Sequence, residues 1–129
     1  MNSISIRTSE QKQIIDITEN IQSLLNMSQG VICLFVTHTT AALATADLDP
    51  GTDLDLLDAL AAIAPDLRYR HPHNPGHAND HIMSTIIGSS LTIPVEKGKL
   101  ILGTWQRVIL VELDGPRDRN IQINQIPLS

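Results

Sequence analysis

The sequence predicts an α+β protein: mixed, mainly antiparallel sheet layers with about three helices. Three observations carry this. Segments with an apolar residue at every second position crowd the two ends of the chain, as where Ile109, Val111 and Leu113 alternate with Leu110 and Glu112. Antiparallel hairpins gather at the C-terminal end and segments with helical spacing are interspersed earlier, in the manner of an α+β fold. The 129 residues, 42% hydrophobic and 18% charged, suit one core, and no repeat or linker divides them, so residues 1–129 are read as a single domain. Aromatic residues are only 2%, so the core must be built from Ile, Val and Leu.

Residues 2–7 alternate as a strand with Ile4 and Ile6 on one face, and Gln13 to Ile17 form a second strand. Ser9-Glu10-Gln11 joins them. Thr18 to Ser28 reads as a helix with Thr18 as N-cap, Ile21, Leu24 and Leu25 as its stripe, and Gly30 beyond its end. Val31 to Val36 is a continuous apolar run, the pattern of a strand buried on both faces. Asp49 caps a second helix with Pro50 at its first position and a stripe of Leu54, Leu57, Leu60 and Ala64. Its early aspartates, Asp53, Asp55 and Asp58, suit the positive end of the helix dipole. Pro65, Pro72, Pro75 and Gly76 break the pattern into a loop. Asn79 caps a short helix over 80–87, stopped by Gly88. Strands follow at 90–96, 99–104, 107–113 and 119–126, with turns at Gly98 and Asp114-Gly115-Pro116.

Composition excludes several functions. The net charge of −5 is wrong for a general nucleic-acid binder, and three aromatic residues offer no stacking platform. One cysteine excludes an internal disulfide framework and every multi-cysteine zinc site, and Cys33 sits within an apolar run as a core thiol. No apolar run reaches the roughly 20 residues of a membrane span, and the first residues lack a signal-peptide pattern. The expected setting is the cytoplasm, with neither membrane nor nucleic acid as partner.

Histidine is the informative residue. Four of the five lie close together, at His71, His73, His77 and His81. Imidazole binds transition metals and moves protons near neutral pH. His38 continues the face of Ile32, Leu34 and Val36 at the end of its strand. The expectation is that His38, His71 and His81 meet as a three-imidazole metal site with an open position for water or a substrate oxygen. The plainer alternatives are a hydrogen-bonded histidine at a strand end and solvated histidines in a loop. Asp49 and Glu112 are candidate bases. Thr39, Ser84, Gln106 and Arg117 are candidates to hold substrate, and Arg117 and Arg119 after the tight turn suit a phosphate or carboxylate. The plainer reading of those arginines is a charged strand edge.

Taken in order, several segments resemble one family across nearly the whole chain. They are Thr37-His38-Thr39-Thr40-Ala41, Asp49-Pro50, His71 with Gly76, Asn79-Asp80-His81-Ile82, Ser90-Leu91-Thr92-Ile93-Pro94-Val95, Gly103-Thr104-Trp105-Gln106 and Glu112-Leu113-Asp114-Gly115-Pro116-Arg117. This set is similar to the YjbQ-like family, named secondary thiamine-phosphate synthase. The resemblance implies a YjbQ-like fold, a homotrimer, and a site near the subunit interfaces lined by histidines that match His38, His71 and His81. It also implies a weak ability to make thiamine phosphate from hydroxymethylpyrimidine diphosphate and thiazole phosphate. The chain departs from the family pattern at Thr45 and Ala46, where Asn-Glu is common, at Met83, where Lys is common, and around Asn74-Pro75, where an acidic residue is common.

The functional expectation is therefore a small trimeric metal-dependent enzyme acting on a small phosphorylated or anionic metabolite. The expected cofactor is a divalent metal, zinc first and magnesium with a phosphorylated substrate. A non-catalytic metal- or ligand-binding trimer is the alternative.

Overall fold

A computed structural model of the chain describes residues 2–64 and 78–128. Among these residues it is α+β with two antiparallel sheets and three helices. The strands are β1 (Asn2–Arg7), β2 (Gln13–Asp16), β3 (Gln29–Val36), β4 (Ala41–Asp47), β5 (Ser90–Glu96), β6 (Lys99–Leu100), β7 (Gln106–Glu112) and β8 (Asp118–Pro127). The helices are α1 (Thr18–Gln22), α2 (Thr52–Ile63) and α3 (Ala78–Ile87). One sheet runs β1-β8-β3-β5-β6 and the other β2-β7-β4.

The three-stranded sheet is the middle layer. Its strand β7 sends Val108 and Leu110 toward the five-stranded sheet, where they meet Ile32, Leu34, Val36, Ile93, Ile121 and Ile123. It sends Ile109 and Val111 the other way, against Ala42, Ala64 and Met83 on the helical side. β7 is thus the strand buried on both faces, not the Val31–Val36 run. Within the Val31–Val36 run only Ile32, Leu34 and Val36 are buried, while Phe35 stands 49% exposed on the outer face. The continuous apolar run in β3 covers an uncapped sheet surface, and a charged residue at position 112 disguises the central strand.

Local rules explain the remaining differences. α1 ends at Gln22 rather than continuing to Ser28. Its N-cap is Ile17, and the capping oxygen comes from Asp16, whose Oδ1 accepts from the Thr18 amide at 2.9 Å and hydroxyl at 2.6 Å. The Thr18 hydroxyl is itself occupied, accepting from the Val108 amide at 2.8 Å. Tightened bonds from Leu24 to Ile21 and from Leu25 to Gln22 unwind the chain after Ser23. α2 starts later than Asp49. Asp47, Asp49 and Pro50 form a turn in which the Asp49 carbonyl accepts from Thr52, and Gly51, at φ +90°, is the N-cap without a side-chain bond. Leu60 and the C-cap Ala64 of the expected stripe pack against the middle sheet, joined by Leu56, while Leu54 faces solvent.

α3 starts at Ala78, so Asn79 lies inside the helix rather than capping it. β6 is confined to two residues of the expected 99–104 segment. β4 has no counterpart in the sequence reading, because its alanine-rich Ala41-Ala42-Leu43-Ala44 start carries little strand preference. Pairing with β7 over Ala41–Asp47 forms it instead.

On the rim of the middle sheet, Arg107 reaches Asp16 at 2.7 Å and Glu19 at 3.3 Å. Hydrogen bonds from Thr18 and Arg107 hold the Asp16 carboxyl below its ordinary range, against the opposing push of burial. The site is solvated enough that Arg107→Met is expected to cost under about 1 kcal/mol in urea unfolding. A larger loss would mean that the pair is screened less than its exposure implies.

Candidate active site

β3 delivers its chain into loop 37–40, and α3 lies across the start of β4. The Ser84 hydroxyl donates to the Ala41 carbonyl at 2.7 Å, and the Leu43 amide donates to the Gly88 carbonyl at 3.0 Å. These bonds bring α3 against the loop. A hollow of about 370 Å³ results, lined by His38, Thr39, His81, Ser84, Thr85, Gly88 and Ser89. His38 and His81, far apart in the sequence, thus share one pocket with the expected substrate-holding residues Thr39 and Ser84. His71, His73 and His77 lie outside the described residues.

His38 is held from behind. The Asn120 amide donates to its Nε2 at 2.9 Å. A ring nitrogen that accepts a hydrogen bond carries no proton, so the neutral ring bears its proton on Nδ1. Burial, then the nearby Arg119 charge, lower the His38 pKa from its ordinary 6.5; Glu112 opposes this and Arg117 adds a little to it. Accepting at Nε2, the ring is a neutral donor from Nδ1.

Behind this loop is a polar cluster that the sequence does not advertise. Glu112 and Arg119 are fully buried, at 0% and 1% exposure. Arg119 Nε donates to both carboxylate oxygens at 2.9 and 3.1 Å, and its Nη2 also bonds Glu112 Oε2. Thr8 donates its hydroxyl to Glu112 at 2.6 Å, and the Asp114 amide donates at 3.1 Å. Burial favours the neutral acid, but the Arg119, Thr8 and Asp114 hydrogen bonds, with the Arg119 charge, outweigh it and hold the Glu112 pKa below its ordinary 4.5. Arg119 Nη2 then reaches Thr40, at 3.0 Å to its carbonyl and 2.8 Å to its hydroxyl.

The remaining candidates lie elsewhere. Both oxygens of Glu112 are engaged inside the protein, so it is placed to hold Arg119 rather than to take a proton from a ligand in the pocket. Asp49 sits in the exposed turn before α2. Arg117 bonds the Asp114 carbonyl at 2.7 Å and its carboxylate at 3.0 Å. Gln106 accepts from the Gly103 amide at 3.0 Å and donates to the Thr45 hydroxyl at 3.0 Å, beside the exposed Trp105 in a shallow hollow at the far end of β4. A third cleft, about 340 Å³, lies between α2 and α3, with Lys12 paired to Asp80 on its wall.

Among the described residues no group of three metal-ligating side chains gathers. In the pocket the lone pair of His38 Nε2 is spent on Asn120, and its Nδ1 carries the proton. As it stands, this imidazole does not fit a metal ligand.

The fold and the pocket together define an α+β protein with a hydroxyl- and imidazole-lined hollow between a strand-end loop and a helix. Over residues 2–127 the chain matches the family described as UPF0047 protein YjbQ-like, and it belongs to that family. It is 33% identical over 124 residues to a UPF0047 protein of Archaeoglobus fulgidus, covering 95% of this chain and 98% of that one. It is 31% identical to UPF0047 protein YugU of Bacillus subtilis, covering 98% of each. A YjbQ/UPF0047-family crystal structure from Clostridium acetobutylicum is similar with TM-score 0.88 and 35% identity, covering 98% of this chain and 100% of that one. A YbjQ-like protein of unknown function from Sulfolobus solfataricus gives TM-score 0.91 and 31% identity, covering 98% and 96%. Among the described residues no helix is long and apolar enough to cross a membrane.

Proposed function

We propose that the His38–His81 pocket is the working site of a small homotrimeric enzyme that binds a small phosphorylated or otherwise anionic metabolite. The observation that carries this is the shared hollow: two imidazoles from distant segments face a space ringed by Thr39, Ser84, Thr85 and Ser89. The His38 Nδ1–H and the hydroxyls of Thr39 and Ser89 are hydrogen-bond donors for phosphoryl or carboxylate oxygens, while those of Ser84 and Thr85 donate to the Ala41 and His81 carbonyls. His81 is the candidate proton carrier. Arg117 and Arg119 are each turned to a carboxylate of the protein, Asp114 and Glu112. A departing pyrophosphate, as in thiamine-phosphate formation, would therefore need its charge balanced by magnesium or by other cations. A lightly charged anion asks less of this pocket.

The second reading is a zinc enzyme or zinc-binding trimer with His38, His71 and His81 as ligands. It is favoured by the convergence of His38 and His81, and it requires His38 to give up the Asn120 amide.

The test is turnover of hydroxymethylpyrimidine diphosphate with thiazole phosphate, with binding of each compound measured separately. His38→Ala and His81→Ala are each expected to lower kcat/KM by about 10²- to 10⁴-fold. Binding without turnover would leave a binding protein, and two fully active variants would remove the pocket from the reaction. Zinc near one per subunit in the parent and absent from His38→Ala would favour the second reading. Light scattering checks the trimer.

A further inference from the structure

We infer that Arg119 and Glu112 are positioning residues that hold the His38 ring in one orientation and one tautomer. This rests on the reading of the His38 pocket as the working site.

The argument begins with an energetic oddity. A buried ion pair gains little over a well-packed apolar pair of equal volume, because both charges must leave water. Stability alone therefore does not account for one between two sheets. What this pair does, and leucine with methionine could not, is reach outward. Arg119 makes two bonds to Thr40, which closes the loop carrying His38. The next residue along β8, Asn120, grips the other end of that loop. Its carbonyl accepts from the Thr37 amide at 3.2 Å, and its amide donates to His38 Nε2. Residues 119 and 120 therefore hold loop 37–40 at Thr37, His38 and Thr40. Glu112 fixes the guanidinium in turn, and Thr8 and the Asp114 amide fix Glu112. Each member of this chain is itself anchored, which makes a side chain's direction definite.

A free imidazole in water favours the proton on Nε2. Here the Asn120 amide imposes the opposite form, with the proton on Nδ1. It does so only while the loop keeps the ring in register with β8, so the buried pair sets the tautomer through Thr40.

The experiment reads the His38 ring nitrogens by NMR of nitrogen-labelled protein, well above the pH at which imidazole titrates, with His38→Gln for assignment. The parent is expected to show Nε2 bare and Nδ1 protonated. Two variants are compared. Glu112→Leu with Arg119→Met removes the charge but keeps the volume. Arg119→Lys keeps a cation for Glu112 but loses the planar fork that spans Glu112 and Thr40 together. In each, the Nε2–H form is expected to become the major one, while circular dichroism stays native. In turnover, the loss is expected in kcat, about 10²-fold, with KM little moved. A parent ring with its proton on Nε2 would overturn the inference, as would folded variants that keep the parent tautomer. Loss of fold in both variants would also overturn it, since the pair would then hold the fold and not the histidine. The NMR measurement needs no substrate, so its outcome is separate from that of the activity test.

Discussion

Arg119→Ala is expected to destabilise the protein by about 3–5 kcal/mol, because it strands the fully buried Glu112 carboxylate and removes two of the bonds on Thr40. Urea unfolding monitored by circular dichroism measures this. The Glu112→Leu, Arg119→Met protein should recover most of the loss, since removing both charges removes the desolvation penalty that removing one exposes. A single variant within about 1 kcal/mol of the parent would mean that water reaches position 112. The same group makes the parent acid-sensitive. Its folded pKa lies below the ordinary value of 4.5, so the unfolded chain binds the proton first as pH falls. The stabilisation is complete above the unfolded pKa and is lost as pH drops through the folded one. Neutral His38 acts with the same sign at higher pH, its share fading below about 6.5. The midpoint of urea unfolding should therefore fall in two stages on acidification, and His38→Gln should erase the first.

Gly30→Ala is expected to be of similar severity, about 3–5 kcal/mol. Gly30 pairs with Pro127 in the β3–β8 ladder and with Val95 in the β3–β5 ladder. A Cβ there would lie 2.2 Å from the Ile126 carbonyl oxygen, backbone that cannot swing aside, and the residue has φ +154°. Gly51→Ala is the control. It shares the positive φ, at +90°, but its Cβ would meet nothing within 4 Å. It should cost only the backbone strain, of order 1 kcal/mol. Equal losses at the two positions would show that φ, and not close approach, governs Gly30.

These two sites show where the sequence could be read and where it could not. Strands with clear alternation, such as Asn2–Arg7 and Ser90–Glu96, were legible because a period of two is a local property. Which strand lies in the middle is not local. The uninterrupted Val31–Val36 pattern suggested double burial, yet β7 holds that place, and its one glutamate is tolerable only because Arg119 arrives from another sheet. β4 was invisible because its alanines form a strand only when β7 supplies the hydrogen bonds. At the candidate site, the imidazoles drew attention by chemical type, and His38 and His81 do line one pocket. The Asn120 amide on Nε2 had no signature, since a backbone donor looks the same at every position. Arg119 suggested a clamp for an outside anion; the carboxylate it clamps is the protein's own.

The pairing of Asn2 with Ile123, and of Gln13 with Glu112, joins the earliest residues to some of the latest. During synthesis β2 must wait for a partner nearly a hundred residues behind it, and β1 for one more than a hundred behind. The two-sheet core therefore cannot close on a growing chain until β7 and β8 clear the ribosome. Closing such distant pairs is slow, and in that interval the apolar strand Gln29–Val36 lacks its partner strand β8.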